Sequence, residues 1–257
     1  MELSDAQISG WVAQFMLPFF RIAALLMVMP IIGTQLVPTR VRLYLALAIS
    51  VVLVPGIPPM PQVDALSVRS IMMIAEQVLI GVMFGFILQL FFHIFSVAGQ
   101  IIAMQMGMGF ASMVDPTNGV SVPVLGQFML MLVTLLFLAI NGHLVVLEVL
   151  AQSFISLPPG QGLMVQHYWE LAGKLSWVIG AGLLLTLPAV TALLVINLAF
   201  GVMTRAAPQL NIFSIGFPLT LALGLVIFWI SLSDFGSLFQ ELASDALQQL
   251  GDFARTP

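Results

Sequence analysis

The chain has 257 residues, 60% of them apolar and 7% charged, with a formal net charge of −4 and a mean hydropathy of +1.12. A soluble protein of this length carries about 64 charged residues, whereas this one has 7 basic and 11 acidic side chains, too few to wet the surface of a globule. Composition excludes a free soluble enzyme, a basic nucleic-acid binder and a disordered chain, and leaves a protein whose surface meets membrane lipid or other apolar protein.

The opening Met1-Glu2-Leu3-Ser4-Asp5 is acidic where a secretory signal is basic, so the first apolar run, 11–33, is expected to be kept as structure. Five more runs follow at 43–57, 71–106, 124–151, 175–203 and 212–232. Leu, Met, Phe and Ala dominate each run, and each exceeds strand length. The expected fold is all-α: a single membrane-associated unit over 1–257, built of long kinked apolar helices and hairpins, with no domain linker. Breaks fall at Gly33 to Pro38, Pro55 to Pro61, Gly107 to Pro123, Leu157 to Gly160 and Arg205 to Asn211. Each carries Pro or Gly, which interrupt helical hydrogen bonding or supply positive φ.

The run lengths are uneven. At 1.5 Å per residue, 71–106 would reach about 54 Å and 43–57 about 22 Å, against a bilayer core of about 30 Å. Gly81, Gly85, Gly99 and Pro188 are the positions where the long runs could kink. Six crossings would put Arg69, Lys174 and Arg255 on one side and Arg40, Arg42 and Arg205 on the other. The positive-inside rule therefore returns a tie. Past the last run, Leu238, Phe239, Leu242, Ala246, Leu247, Leu250 and Phe253 recur at helical spacing, with Glu241, Asp245 and Asp252 off that stripe. Ser237 and Gln240 are spaced to cap its start. Its polar face is acidic, unlike that of a helix lying on anionic lipid, so it is expected to pack on the chain's own helices or a partner and face water.

Few residues carry chemistry. Cysteine is absent, and His93, His143 and His167 lie too far apart for a helical zinc pair. His143, following Asn141-Gly142 at a helix break, reads as a hydrogen-bonded structural residue. Gly107-Met108-Gly109-Phe110-Ala111-Ser112 resembles a dinucleotide fingerprint but lacks its third glycine, its strand and its acidic ribose ligand. There is no P-loop. The reading is a non-enzyme without cofactor or metal.

Gly81 and Gly85 form a GxxxG pattern, which marks a close helix contact or arises by chance in glycine-rich apolar helices. Arg21, Glu76 and Glu148 are charges inside apolar runs. Because an unpaired buried charge costs several kcal/mol, Arg21 reads as paired or partner-facing. The two glutamates either serve a polar path or subunit-joining ion pair, or sit near run ends and reach water. The most unusual segment is Met104 to Gly119, where four methionines fall within ten residues among glycines, followed by the turn formers Asp115-Pro116 and Asn118-Gly119. Methionine is unbranched and polarisable and can seal against many shapes. The residues alone fit a deformable gate or a hydrophobic loop tucked between helices.

Three stretches together resemble one family, FliR, the R subunits of the flagellar type III protein-export gate. They are Gly99-Gln100 through Gln105-Met106-Gly107 to Asp115-Pro116; Asn141-Gly142-His143 through Ser153-Phe154 to Pro158; and Arg205 through Pro208-Gln209 and Asn211 to Gly216-Phe217-Pro218. The Arg-x-x-Pro-Gln-x-Asn spacing is the most specific of these, and the resemblance spans nearly the whole chain. Virulence-type secretion systems have a homologous subunit, and the wording of Asn211 to Pro218 favours the flagellar version. The resemblance implies a helical assembly with FliP and FliQ subunits, with FlhB alongside, around a pore for unfolded flagellar proteins. It implies a location in the bacterial inner membrane at the flagellar basal body, with the assembled core largely on the periplasmic side. It also implies a P-like half over about 1–170, a Q-like helical hairpin over about 171–257, and a plug loop corresponding to Gly107 to Gly119.

On that basis Met106, Met108, Phe110 and Met113 would close the pore by soft packing, and Gly107, Gly109 and Gly119 would supply hinge freedom. Energy for export would come from outside the chain. The alternative from another class is a small-solute secondary transporter or channel, with a site where broken helices meet and with Arg21 and Glu76 serving coupling.

Overall fold

The computed structural model describes residues 5–61, 67–108, 112–114, 121–206 and 212–255. These form eight α-helices: α1 (Asp5–Val28), α2 (Thr39–Leu53), α3 (Val68–Gln105), α4 (Val124–Ala139), α5 (Gly142–Ser156), α6 (Val165–Ala206), α7 (Ile212–Ser231) and α8 (Phe235–Arg255). A 3-10 turn, Val54–Gly56, extends α2. The exception to an all-α chain is a small antiparallel ribbon of β1 (Ser112–Val114) and β2 (Ser121–Pro123), set between α3 and α4.

The six apolar runs all become helix, with three differences from the sequence reading. Run 71–106 is one continuous helix of 38 residues, not a hairpin. Run 124–151 divides into two helices at Asn141, whose φ of 57° lies in the left-handed region. The amphipathic C-terminal helix begins at Phe235, so Ser237 is inside it; its hydroxyl donates to the Asp234 carbonyl and is not the starting cap. Among the described residues, three helices are long and apolar enough to cross a membrane, Thr39–Gly56, Val68–Gln105 and Val165–Ala206, or up to five if each of two bent helix pairs counts as one span. That is fewer than the six crossings drawn from the runs.

Among the described residues, 5–90, 137–175 and 245–255 form one compact unit, and 91–136 with 176–244 form another. In the first unit, α1 lies against α3 at glycines. A β-carbon on Gly81 would run into the Arg21 carbonyl oxygen and lie 2.8 Å from Ala24 Cβ, and one on Gly85 would lie 2.8 Å from Val28 Cβ. The GxxxG pattern thus marks a tight helix contact. Gln89 Nε2 closes the end of α1 by donating to the Val28 carbonyl at 2.9 Å, one of the acceptors a helix end leaves free. The loop from α1 to α2 is held by Arg42, whose Nε donates to the Val37 carbonyl at 3.0 Å and whose Nη2 donates to the Thr34 carbonyl. The far end of α8 adds Phe253, which meets Phe84 and His167 edge-on at 5.6 and 5.4 Å.

The second unit has an aromatic centre. Phe91 and Phe95 of α3 meet Phe239 of α8 at 6.0 and 6.1 Å, and Phe95 meets Phe235 at 5.6 Å. Of the stripe foreseen on α8, Phe239, Leu242, Ala246, Leu250 and Phe253 are all within 8% exposure and Leu238 and Leu247 are half-buried, while Glu241, Asp245 and Asp252 are exposed.

Apolar surface is not all consumed by this core. In its most apolar window α3 is 67% buried, against 28% for α6 and 11% for α2. Leu184, Val195 and Leu198 of α6 and Trp229 of α7 stand open. These faces need lipid or other protein against them.

Candidate functional site

Two places gather the residues singled out by sequence. The first is the root of the segment between α3 and α4, wholly within the second unit. α3 ends where the Met106 N–H donates to the Ile102 carbonyl at 3.0 Å and the Gly107 N–H to the Met104 carbonyl at 3.1 Å. Gly107 has φ +78°, the left-handed conformation that ends a helix at glycine. α4 returns beside α3, and the two backbones touch at paired glycines: a β-carbon on Gly99 would lie 2.6 Å from Gly126 Cα. Between them the chain forms the ribbon, with Ser112 opposite Pro123, Met113 opposite Val122 and Val114 opposite Ser121. The described part of the segment is therefore an antiparallel ribbon, where the residues alone fitted a deformable gate or a hydrophobic loop tucked between helices.

α7 holds this root. Met106 is fully buried, and its side chain lies on the backbone of Gly224, where a β-carbon would run into Met106 Cγ and lie 2.9 Å from its Cε and 3.2 Å from its Sδ. One residue on, a β-carbon at Gly107 would lie 3.1 Å from the ring of Phe217. Phe217 belongs to the stretch ending at Pro218, so two of the three signature stretches meet here. Met108 is half-buried, whereas Met104 is open at 66% exposure. Gly109, Phe110, Asp115, Pro116 and Gly119 lie outside the described residues, as does the side chain of Met113. Sequence reading missed Gly224; its one signal was a glycine in the middle of an apolar run.

The second place is a cage around Arg21 in the first unit. The guanidinium is fully buried. Its Nε donates to Gln77 Oε1 at 2.7 Å, Nη1 to Ser153 O and Oγ at 2.9 Å each, and Nη2 to Leu157 O at 2.7 Å. Its Cζ sits 4.3 Å from the centroid of the Phe154 ring, a cation–π contact. Every acceptor is neutral. Glu76, the other charge named for coupling in the transporter reading, accepts the Gly160 N–H at 3.3 Å and acts on Arg21 through its field. Arg21 thus ties α1, α3 and α5 together, and Gln77 and Ser153 are the cage residues that the charge census overlooked. Glu148 is exposed and reaches only Gln152, one turn along its helix.

The remaining positions are separate. Asn141 turns the chain between α4 and α5, and its carbonyl accepts the Leu144 N–H at 2.9 Å. Gly142 must be glycine, because a β-carbon would lie 2.5 Å from the Phe137 ring. The hydrogen bond expected of His143 is not made at Nδ1, which is buried without a partner among the described residues. Arg205 sits exposed in the last turn of α6, where its charge complements the helix dipole. Pro218 lies inside α7, and Pro208, Gln209 and Asn211 lie outside the described residues. Among the described residues no three His, Asp or Glu side chains gather as a metal site.

Residues 12–246 match the family model described as bacterial export proteins, family 1. The chain is 37% identical over 253 residues to the flagellar biosynthetic protein FliR of Escherichia coli (strain K12), covering 98% of this chain and 97% of that one. It is 37% identical over 244 residues to the protein of the same name from Pectobacterium carotovorum subsp. carotovorum, covering 95% and 93%. With that of Bacillus subtilis (strain 168) it shares 27% over 225 residues, 85% and 86% of the two chains.

Proposed function

Since the chain belongs to the bacterial export proteins of family 1, we propose that it is a non-enzymatic subunit of the flagellar protein-export gate and that its segment Gly107 to Gly119 plugs the pore through which unfolded flagellar proteins leave. The observation that carries this reading is the construction of that segment. Its described residues include Ser112–Val114, paired with Ser121–Pro123 in a two-stranded ribbon, and it is rooted by a buried methionine and bounded on both sides by apolar helix. A closed gate must hold back ions and small solutes yet yield to chains of any sequence. Thioether and aromatic side chains close by packing, without demanding one partner shape, and part at modest cost.

In the assembly this chain would sit with FliP and FliQ subunits, with FlhB alongside, residues 1–170 acting as the P-like half and 171–257 as the Q-like hairpin. The open faces of α2, α6 and α7 supply the apolar surface that such neighbours, or membrane lipid, would cover. The complex would stand in the bacterial inner membrane at the flagellar basal body, its core largely on the periplasmic side. A secondary transporter is disfavoured: four of the five N–H donors of the Arg21 guanidinium are held by neutral acceptors and Glu76 is engaged with Gly160, so the two are not paired with each other for coupling. Deleting 108–113 tests the plug. The expected result is a membrane leaky to small solutes with the complex still assembled; unchanged permeability at normal assembly would overturn it.

A further inference from the structure

Resting on the plug reading, we infer that Gly224 and Phe217 of α7 are positioning residues for the gate, a latch in which Met106 is seated on bare helix backbone and fixes where the arm that carries the ribbon leaves α3. Nothing but glycine leaves room for this seat. Any β-carbon at 224 meets three successive atoms of the Met106 side chain, Cγ, Sδ and Cε, none farther than 3.2 Å. Met106 is wholly buried, so its side chain can leave the seat only if its surroundings shift, and it is the residue immediately before the chain turns through positive φ at Gly107. That turn in turn lies beneath the Phe217 ring. Displacing Met106 therefore moves the turn, and with it the base of the ribbon that starts at Ser112.

The contacts also point to how the latch would release. Both lie on α7, seven residues apart at Phe217 and Gly224, hence on one face of that helix two turns from each other. A shift or rotation of α7 disengages both together, so a movement of α7 imposed by neighbouring subunits becomes a movement of the arm. Met106 is flexible and loses little by sliding off a flat glycine surface, whereas a branched side chain interlocked with a neighbour would resist.

The chain has no cysteine, so one introduced thiol is the sole labelling site on this chain, read from its own band after separation from its partners. In the assembled complex in membranes, Met108→Cys gives a half-buried reporter whose maleimide labelling rate measures how firmly the arm is seated. Gly224→Ala is expected to raise that rate severalfold and to make cells leaky to a small solute. The same substitution at Gly201 or Gly236, where a β-carbon meets nothing within 4 Å, is expected to do neither. On a Met106→Ala background, which removes the atoms that clash, Gly224→Ala is expected to add nothing further. An unchanged labelling rate in Gly224→Ala, or an effect that persists undiminished on the Met106→Ala background, would overturn the latch. Faster labelling with no leak in either Gly224→Ala or the 108–113 deletion would instead overturn the plug and leave the seat as described.

Discussion

Replacing Arg21 by lysine distinguishes a guanidinium held by geometry from one held by charge. Its four hydrogen bonds leave from three nitrogens and end on Gln77, Ser153 and Leu157. Lysine keeps the positive charge but concentrates its donors on one nitrogen, which cannot occupy the positions of Nε, Nη1 and Nη2 at once. Two acceptors or more would lose their donor in a site with no solvent access. At about 1–3 kcal/mol for each buried polar group left unsatisfied, the cost is about 2–6 kcal/mol. For a chain of this size that lowers the unfolding midpoint by about 4–24 °C. Glu76→Gln keeps an oxygen for the Gly160 N–H and removes only a distant charge, so it should cost less than about 1 kcal/mol. Thermal unfolding of the detergent-extracted protein, followed by tryptophan fluorescence, measures both. The cage reasoning is refuted if Glu76→Gln is as damaging as Arg21→Lys, or if exchanging the two residues restores what Arg21→Glu loses.

Other outcomes follow from the same contacts. Gly81→Ala, driving a methyl into the Arg21 carbonyl and Ala24, should cost about 1–3 kcal/mol in the same unfolding measurement. Gly180→Ala, with nothing within 4 Å, should leave the isolated chain as stable or slightly more so. Arg42→Gln should expose the turn it holds, so chymotrypsin should cleave after Leu36, itself 67% exposed, severalfold faster under native conditions while the unfolding midpoint moves little. Phe253→Ala should destabilise the chain by about 3–5 kcal/mol, whereas Trp229→Ala, at a site 74% exposed, should spare the isolated chain and weaken recovery of the assembled complex on gentle extraction.

What could be read from sequence followed from what each signal measures. Apolar runs report helices well, because helix burial depends on many residues at once; all six became helix and most of the α8 stripe is buried. A census of charge can point only to pairs of opposite charge, such as Arg21 with Glu76. The structure uses the next residue, Gln77, and two main-chain carbonyls, acceptors that carry no charge and that every segment possesses. Glycines in 71–106 read as kinks because glycine lowers helix propensity, yet at 81, 85 and 99 the missing side chain serves approach by another backbone or side chain. Sequence shows the absence of a side chain but not what fills the space. The three-residue strands at 112–114 and 121–123 are too short for a period of two to register. The turn formers Asp115-Pro116 and Asn118-Gly119 between them were the available sign of a hairpin. The meeting of Met106 with Gly224 joins positions more than a hundred residues apart, and nothing local encodes it.

The two gathered places differ in the kind of force that holds them, and the difference suits opposite roles. The Arg21 cage is made of directional bonds to buried acceptors. Such bonds lose most of their value within a fraction of an ångström of misalignment, and each broken one leaves a polar group unsatisfied in apolar surroundings. It resists small displacements and tolerates no half-open state. The root of the arm has sulfur, methylene and aromatic carbon on bare backbone. Each atom pair there contributes only about 0.1–0.2 kcal/mol, without preference for direction, so contacts can be surrendered gradually and regained in a shifted register. A barrier that yields to polypeptides of unrelated sequence and closes again cannot depend on matched donors and acceptors, because no traversing chain would supply them.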